Sequence, residues 1–336
     1  MSSVRRLVTP LALIGLLLLS ACGGDGNQDT TVRESGGFPM TIENCGQRTT
    51  IDAPPKRVLL IGDNAVPLLP TSALDRVVAL VGNPPLEIYD EQLRQRVEDF
   101  PRIGSEQAAG SVEVTLEEVI GQTPDLVIGL SQPAAETGVT RDALARAGIP
   151  VIELPSFCLD GSQALKNPDF ENVYVQVELF GRLFGAEDEA ASTVADLRRR
   201  VTAVQQSAQG LSGRPAAALF VTPGSSIVYA YGDGSMFDAQ LDTLGLTNIF
   251  GDIKKRVFEV NLEEVLAKDP EVVMLAYTSG EPEKIKEAFL GIAGIDRVRA
   301  VRNDEILVLR FEYTDPPTPL SVEGLEMIAK KFAGAR

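Results

Sequence analysis

TLEEVIGQTPDLVIGL (Thr115–Leu130) and NLEEVLAKDPEVVMLA (Asn261–Ala276) are two copies of one unit, aligned without a gap at an offset of 146 residues (261 minus 115). Each opens on a residue suited to cap a helix, Thr115 or Asn261, with a glutamate three positions on, Glu118 or Glu264. That spacing predicts a capping box in both copies. Leu116, Val119 and Ile120, or Leu262, Val265 and Leu266, then fall on one face of a short helix. Pro124 or Pro270 bars its continuation. An apolar, β-branched run follows at once, Leu126–Ile128 or Val272–Leu275, and reads as a strand. A strand apolar on both sides belongs in a parallel sheet covered on both faces.

Further strands are expected at 57–61, 76–81 and 149–154 around the first copy, and at 216–221 and 305–309 around the second. Helices separate them, for instance 141–147 and 236–244. The alternation predicts an α/β fold with two Rossmann-like parallel-sheet lobes. Between the copies, residues 172–209 carry apolar positions at helical spacing, broken only by Gly181 and Gly185. This stretch is one long helix or two joined near Gly185, and a single helical crossing would make a stiff connector. The expected division is a first lobe over 39–168, the connector over 169–210 and a second lobe over 211–336.

Composition removes several functions. The formal charge is −16, and no patch of interleaved basic and aromatic residues appears, so nucleic acid is not a partner. The chain of 336 residues has no histidine, which excludes serine–histidine triads and histidine-built zinc sites. At the N-terminus, Arg5 and Arg6 precede a short apolar run, Leu11–Leu19. The run is too short to span a bilayer and is built like a secretory signal. Leu19-Ser20-Ala21-Cys22 resembles the lipobox of bacterial lipoproteins, which implies a signal peptide over 1–21 and diacylglycerol on Cys22. The alternative is an uncleaved anchor or a chance cysteine. Residues 22–38, rich in Gly, Asp, Thr and Ser, read as a tether. Export exposes Cys45 and Cys158 to an oxidising milieu, so a Cys45–Cys158 disulfide is expected; two separate buried thiols are the alternative.

Two lobes, one helical connector and a lipobox together resemble the siderophore, haem and vitamin B12 class of solute-binding proteins of ABC importers. The resemblance rests on Pro55-Lys56-Arg57-Val58, on Pro124-Asp125-Leu126-Val127-Ile128, on the run Asn261–Pro270 and on Arg299–Ile306. It implies a ligand cleft between the lobes and a monomer lipid-anchored to the outer face of the cell membrane. It also implies delivery to a permease with its ATPase. No resident cofactor or metal is implied; a ferric siderophore is the expected ligand, with B12 or haem as alternatives. The absence of histidine lowers haem. Pro67 and Pro70 stand where the family has its first helix, which must be short or kinked here. The family's docking acids map onto Glu117 and Glu263, whereas Glu118 and Glu264 read as cap partners. Acids in a first helical turn also suit the helix dipole without any partner.

Ligand sites in open α/β sheets form past the carboxyl ends of strands. The residues there are Asn64 and Arg102 in the first lobe, and Tyr229, Tyr231, Arg256, Tyr277, Arg310 and Tyr313 in the second. Cations would serve an anionic chelate and tyrosines a neutral one, and this set holds both. Each is equally an ordinary loop residue when taken alone. An exported enzyme is the rival class, with Asp233 and Asp238 as its carboxylate pair. It lacks a Gly-x-Ser-x-Gly elbow, a phosphate loop or a metal spacing, so no catalytic residue is assigned. A third reading is a lipoprotein that binds a protein partner.

Overall fold

The computed structural model describes residues 31–32, 37–106, 112–130, 132–158, 165, 168–208, 210–222, 224 and 227–334. The expected signal peptide, lipidated Cys22 and most of the tether lie outside the described residues. A hairpin of β1 (Met40–Asn44) and β2 (Gln47–Ile51) opens the fold. Its turn places both Cys45 and Gly46 at positive φ, the geometry a tight two-residue hairpin turn requires. Cys45 is disulfide-bonded to Cys158, with Cα atoms 5.5 Å apart. Beside it the Asn44 side chain donates to the Glu153 carbonyl and accepts from the Glu153 amide, at 2.7 and 2.8 Å.

The first lobe is built on β3 (Val58–Ile61), β4 (Val77–Val81), β5 (Arg102–Ile103), β6 (Leu126–Ile128) and β7 (Val151–Ile152), in the order β7-β6-β3-β4-β5, all parallel. Two 3-10 turns, Val66–Leu68 and Thr71–Arg76, connect β3 to β4, because Pro67 and Pro70 leave no room for an α-helix. Helices α1 (Glu91–Glu98), α2 (Leu116–Gly121) and α3 (Arg141–Arg146) are among those that flank the sheet.

The expected connector is two helices, α4 (Glu171–Phe184) and α5 (Glu187–Ser207), folded against each other. Gly185, in the left-handed region at φ 67, ends α4. Gly181 permits the close crossing, since a Cβ there would stand 2.3 Å from that of Ala190.

The main path of the second sheet is β8 (Pro215–Val221), β9 (Val228–Tyr231), β10 (Val257–Val260), β11 (Val272–Tyr277) and β12 (Ile306–Arg310), ordered β10-β9-β8-β11-β12, with the short strand Thr247–Asn248 paired parallel to the start of β8. It departs from the all-parallel expectation: β9 runs antiparallel to both β8 and β10. The chain between Val221 and Val228 has hairpin length, and a parallel return needs a crossover of a dozen residues or more. Around this sheet lie α6 (Met236–Thr243), α7 (Leu262–Lys268), α8 (Pro282–Leu290) and α9 (Pro319–Phe332).

Fully buried strands share their side chains between two cores. Leu59, Ile61 and Val127 face an outer core of the first lobe, and Ala217, Leu219, Val273 and Leu275 an outer core of the second. The alternate residues Val58, Leu60, Ala216 and Met274 join Phe180, Phe184, Leu197 and Leu325 in one continuous inner core. The helices are therefore shared packing for both sheets. Arg200 binds α9 to α5 through two 2.8 Å bonds to Glu326.

Candidate functional site

The cleft forms where the carboxyl ends of the two sheets meet. In the first lobe the chain leaves β3 through Gly62-Asp63-Asn64, and Glu87 and Tyr89 stand past β4. In the second, Tyr277 and Arg310 end neighbouring strands as a register pair. The Arg310 guanidinium lies 5.5 Å from the centroid of the Tyr277 ring. It donates to Glu312 at 3.2 and 3.3 Å, to the Thr278 carbonyl at 3.0 Å and, across the cleft, to Glu87 at 2.8 Å.

A second bridge stands beside the first. Phe157, past β7, meets Phe311, past β12, edge to face at 6.0 Å. Arg256 lies 5.6 Å from the Phe157 centroid and donates to Asp315, which is 0% exposed. Asp63, Asn64 and Tyr89 face Glu312, Thr318 and Leu320 across a narrow gap. The walls of the cleft are aromatic and charged.

Burial governs the acids and phenols here. Desolvation, then the nearby Glu312, pushes the Asp63 carboxyl up to about 6. Desolvation, then Glu323 and Glu312, pushes the Tyr313 phenol up to about 12. Asp315 is also raised by burial, against the pull of Arg256.

Asn64, Arg102, Tyr277, Arg310 and Tyr313 all lie around this cleft, though not as free contacts. Arg102 spends two donors on the Phe100 and Val97 carbonyls, at 3.2 and 2.9 Å, and interacts with Tyr89 and Asp63. Tyr277 is buried beneath Arg310. Arg256 is committed to Asp315 and serves as part of the second bridge. Tyr229 is 38% exposed on β9, paired with Phe220 of β8. Tyr231, expected as a ligand contact, is a core residue at 2% exposure with its ring 5.4 Å from that of Phe237. The two tyrosines share a strand face, but Tyr231 sits two residues deeper in the sheet.

Sequence reasoning missed Asp63, Glu87, Tyr89, Phe157, Phe311 and Glu312. The strand-end rule could have found Asp63, the immediate neighbour of Asn64. Nothing local marks Glu87, whose partner Arg310 is 223 residues away.

Glu117 and Glu263 are both exposed in the first turn of their helices. The predicted capping box is present at Thr115, where the amide and hydroxyl of Thr115 hold the Glu118 carboxyl below its usual range. It does not form at Asn261. There the Asn261 side chain accepts from the Glu263 amide at 3.0 Å, so the amide of Glu264 is not its partner. Asp233 and Asp238 line a separate shallow pocket with Asp242. Asp233 pairs with Lys254, and Asp238 accepts from Asn248 at 2.6 Å. No group of described residues has three Asp, Glu, Cys or His placed to hold a metal.

The periplasmic binding protein family model matches residues 83–313. The crystal structure of an ABC-type Fe3+-hydroxamate transport system from Saccharomonospora viridis is 41% identical, covering 88% of this chain and 99% of that one, with a TM-score of 0.79. An uncharacterised ABC transporter substrate-binding lipoprotein of Bacillus subtilis, YvrC, is 23% identical over 95% of this chain and 94% of the relative. A cobalamin-binding protein of Halobacterium salinarum is 25% identical over 88% of this chain and 74% of the relative.

Proposed function

The chain belongs to the periplasmic binding protein family, whose members are solute-binding proteins of ABC importers and not enzymes, and from that premise we propose that it captures a ferric siderophore outside the membrane and hands it to a permease. The observation that carries this reading is the cleft itself, walled from both sheets and bridged by Arg310 and Glu87. A chelate needs polar contacts for its metal-binding groups and aromatic surface for its frame. Asn64 and Tyr313 stand among the first set of contacts, and Arg310, Tyr277 and Arg102 would join them only by exchanging protein neighbours for the solute, with Phe157 and Phe311 beside them. Tyr229 extends the second-lobe wall. The similarity to the Saccharomonospora protein, titled for Fe3+-hydroxamate transport, supports an iron chelate.

Glu117 and Glu263 dock the two lobes onto the permease, and Cys22 carries the lipid that keeps the protein at the membrane surface, with residues 22–38 as its tether. The lobes divide at 39–168 and 211–336 about the helical segment. Cobalamin is the second reading, favoured by the similarity to the Halobacterium protein.

Titration of the purified protein with ferric hydroxamate, catecholate and carboxylate chelates, cyanocobalamin and haemin separates these readings. The chain has no tryptophan, so tyrosine quenching and thermal shift serve as readouts. An iron chelate is expected to bind tightest. Binding of cyanocobalamin alone would overturn the siderophore and leave the family intact.

A further inference from the structure

Three polar groups around the cleft space are short of partners: Thr318 Oγ1 has none, and the Asp63 carboxylate and the Tyr89 hydroxyl have no side-chain hydrogen-bond partner beyond each other. Tyr89 is 4% exposed and Thr318 1% exposed, and all three residues line the same space. In this arrangement of the lobes that space is too narrow for a water molecule. Buried polar groups are nearly always satisfied, so an unpartnered hydroxyl lining the same space as a carboxylate and a phenol that have only each other marks a place built for an outside partner. Thr318 is telling. It caps the N-terminus of α9, yet its hydroxyl makes no cap bond and is left to face the cleft.

The charges around the space have a direction as well. Arg310 is shared between Glu87 and Glu312, Arg256 is held by Asp315, and Arg102 is engaged by backbone carbonyls. These guanidiniums are therefore already committed to protein acceptors, whereas Asp63 has no cation in hydrogen-bonding contact. A polyanion entering here would have to strip those arginines from their partners and sit beside Asp63 and Glu312. A solute carrying a donor would complete an unfinished set.

We propose that Asp63, Tyr89 and Thr318 form a polar subsite that receives a hydrogen-bond-donating arm of the solute, an ammonium or an amide, so that the cleft selects neutral or cationic chelates over polyanionic ones. This rests on the cleft being the solute site. Burial raises the Asp63 carboxyl to about 6, with Tyr89 and Arg102 facing it from its own lobe and Glu312 and Arg310 from the other. Its attraction for a cation therefore grows as pH rises through that value.

The test is calorimetry with the ferric complex of desferrioxamine B, whose amine is a cation, its neutral N-acetyl derivative and the trianionic ferric complex of enterobactin. At about pH 7.5 the cationic complex is expected to bind roughly tenfold tighter than the acetylated one, with the trianion weakest. Asp63→Asn should bring the first two within about twofold, and lowering the pH to about 5 should do the same to the wild type alone. Tyr89→Phe, a smaller change, should weaken both by roughly three- to tenfold. Equal binding of the cationic and acetylated complexes by the wild type, tightest binding of the trianion, or unchanged affinity in Tyr89→Phe overturns the subsite while leaving the siderophore reading in place. If no chelate binds, the siderophore reading fails by itself. The subsite is then judged on cyanocobalamin, whose amides it would also receive: weakened affinity in Asp63→Asn supports it, and unchanged affinity in both variants overturns it.

Discussion

Thr115–Leu130 and Asn261–Ala276 fold alike down to an unusual backbone detail. Thr123 and Asp269, equivalent positions, both adopt positive φ, at 48° and 43°, immediately before the proline that separates helix from strand. Neither is glycine, so the repeat enforces a conformation that its side chains disfavour. An arginine steadies each turn. In the first lobe Arg57 donates to the Thr123 and Gln122 carbonyls at 2.9 and 2.6 Å. In the second Arg299 binds the Asp269 carboxylate at 2.8 Å and its carbonyl at 2.6 Å.

Outside the repeat the lobes diverge. One sheet is all parallel and the other carries a reversed strand; one lobe has a disulfide and lines the cleft with Asp63, Glu87 and Tyr89, whereas the other supplies Arg310 and Phe311 together with Glu312 and Tyr277. The lesson is that a repeated unit secures the central strands, while the connections between them set sheet direction and the chemistry of the rim.

The strongest challenge to the equivalence of the lobes is reversal of both docking acids. Glu117→Lys with Glu263→Lys should cut transport by roughly a hundredfold or more, since like charges would then oppose each other at both contacts. Solute affinity should stay within about twofold, and each single reversal should fall between. A double variant that transports normally would remove the docking role.

The disulfide separates the lobes instead. Cys45→Ser with Cys158→Ser should lower stability by up to about 4–5 kcal/mol, the entropy of a loop of this length. Hydrogen exchange should quicken in the hairpin and first lobe first. Unchanged thermal unfolding would show that the Asn44–Glu153 bonds hold the hairpin unaided.

Asp63 gives a pH signature confined to the first-lobe wall. Its folded value near 6 lies above the usual carboxylate range, so the protonated acid favours the folded state. That contribution is complete below the unfolded value and is lost as pH rises through about 6. Asp63→Asn should therefore match the wild type near pH 4 and exceed it by about 1–3 kcal/mol near pH 7.5. Parallel stability curves across that window would contradict the burial of this carboxylate.

The smallest difference expected is between the two helix caps. Thr115→Ala and Asn261→Ala should each cost about 1 kcal/mol. The loss at Thr115 should be the greater, because its box makes reciprocal bonds and Asn261 makes one. Equal losses in thermal unfolding would mean that the box adds nothing to the simple cap.

Much of the frame was legible because fully buried strands must be apolar runs. Leu126–Ile128 has the predicted bounds, and the second-copy strand runs only a little longer, to Tyr277. The breaker Gly185 marked where the helical stretch turns back. The site was legible in outline through the strand-end rule, and faulty in depth. Tyr229 and Tyr231 share an alternation, and no local pattern says which one reaches solvent.

Residue order alone determined the repeat, the two-lobed α/β frame and the exclusion of histidine chemistry, because periodicity, proline and composition act over a few residues at a time. Only the tertiary structure decided that Arg310 meets Glu87, that Phe157 meets Phe311 and that Asp63, Tyr89 and Thr318 line one space. Those encounters depend on how two sheets settle against one shared helical core. Burial and charge at the cleft are therefore sums over residues that no short stretch of chain brings together.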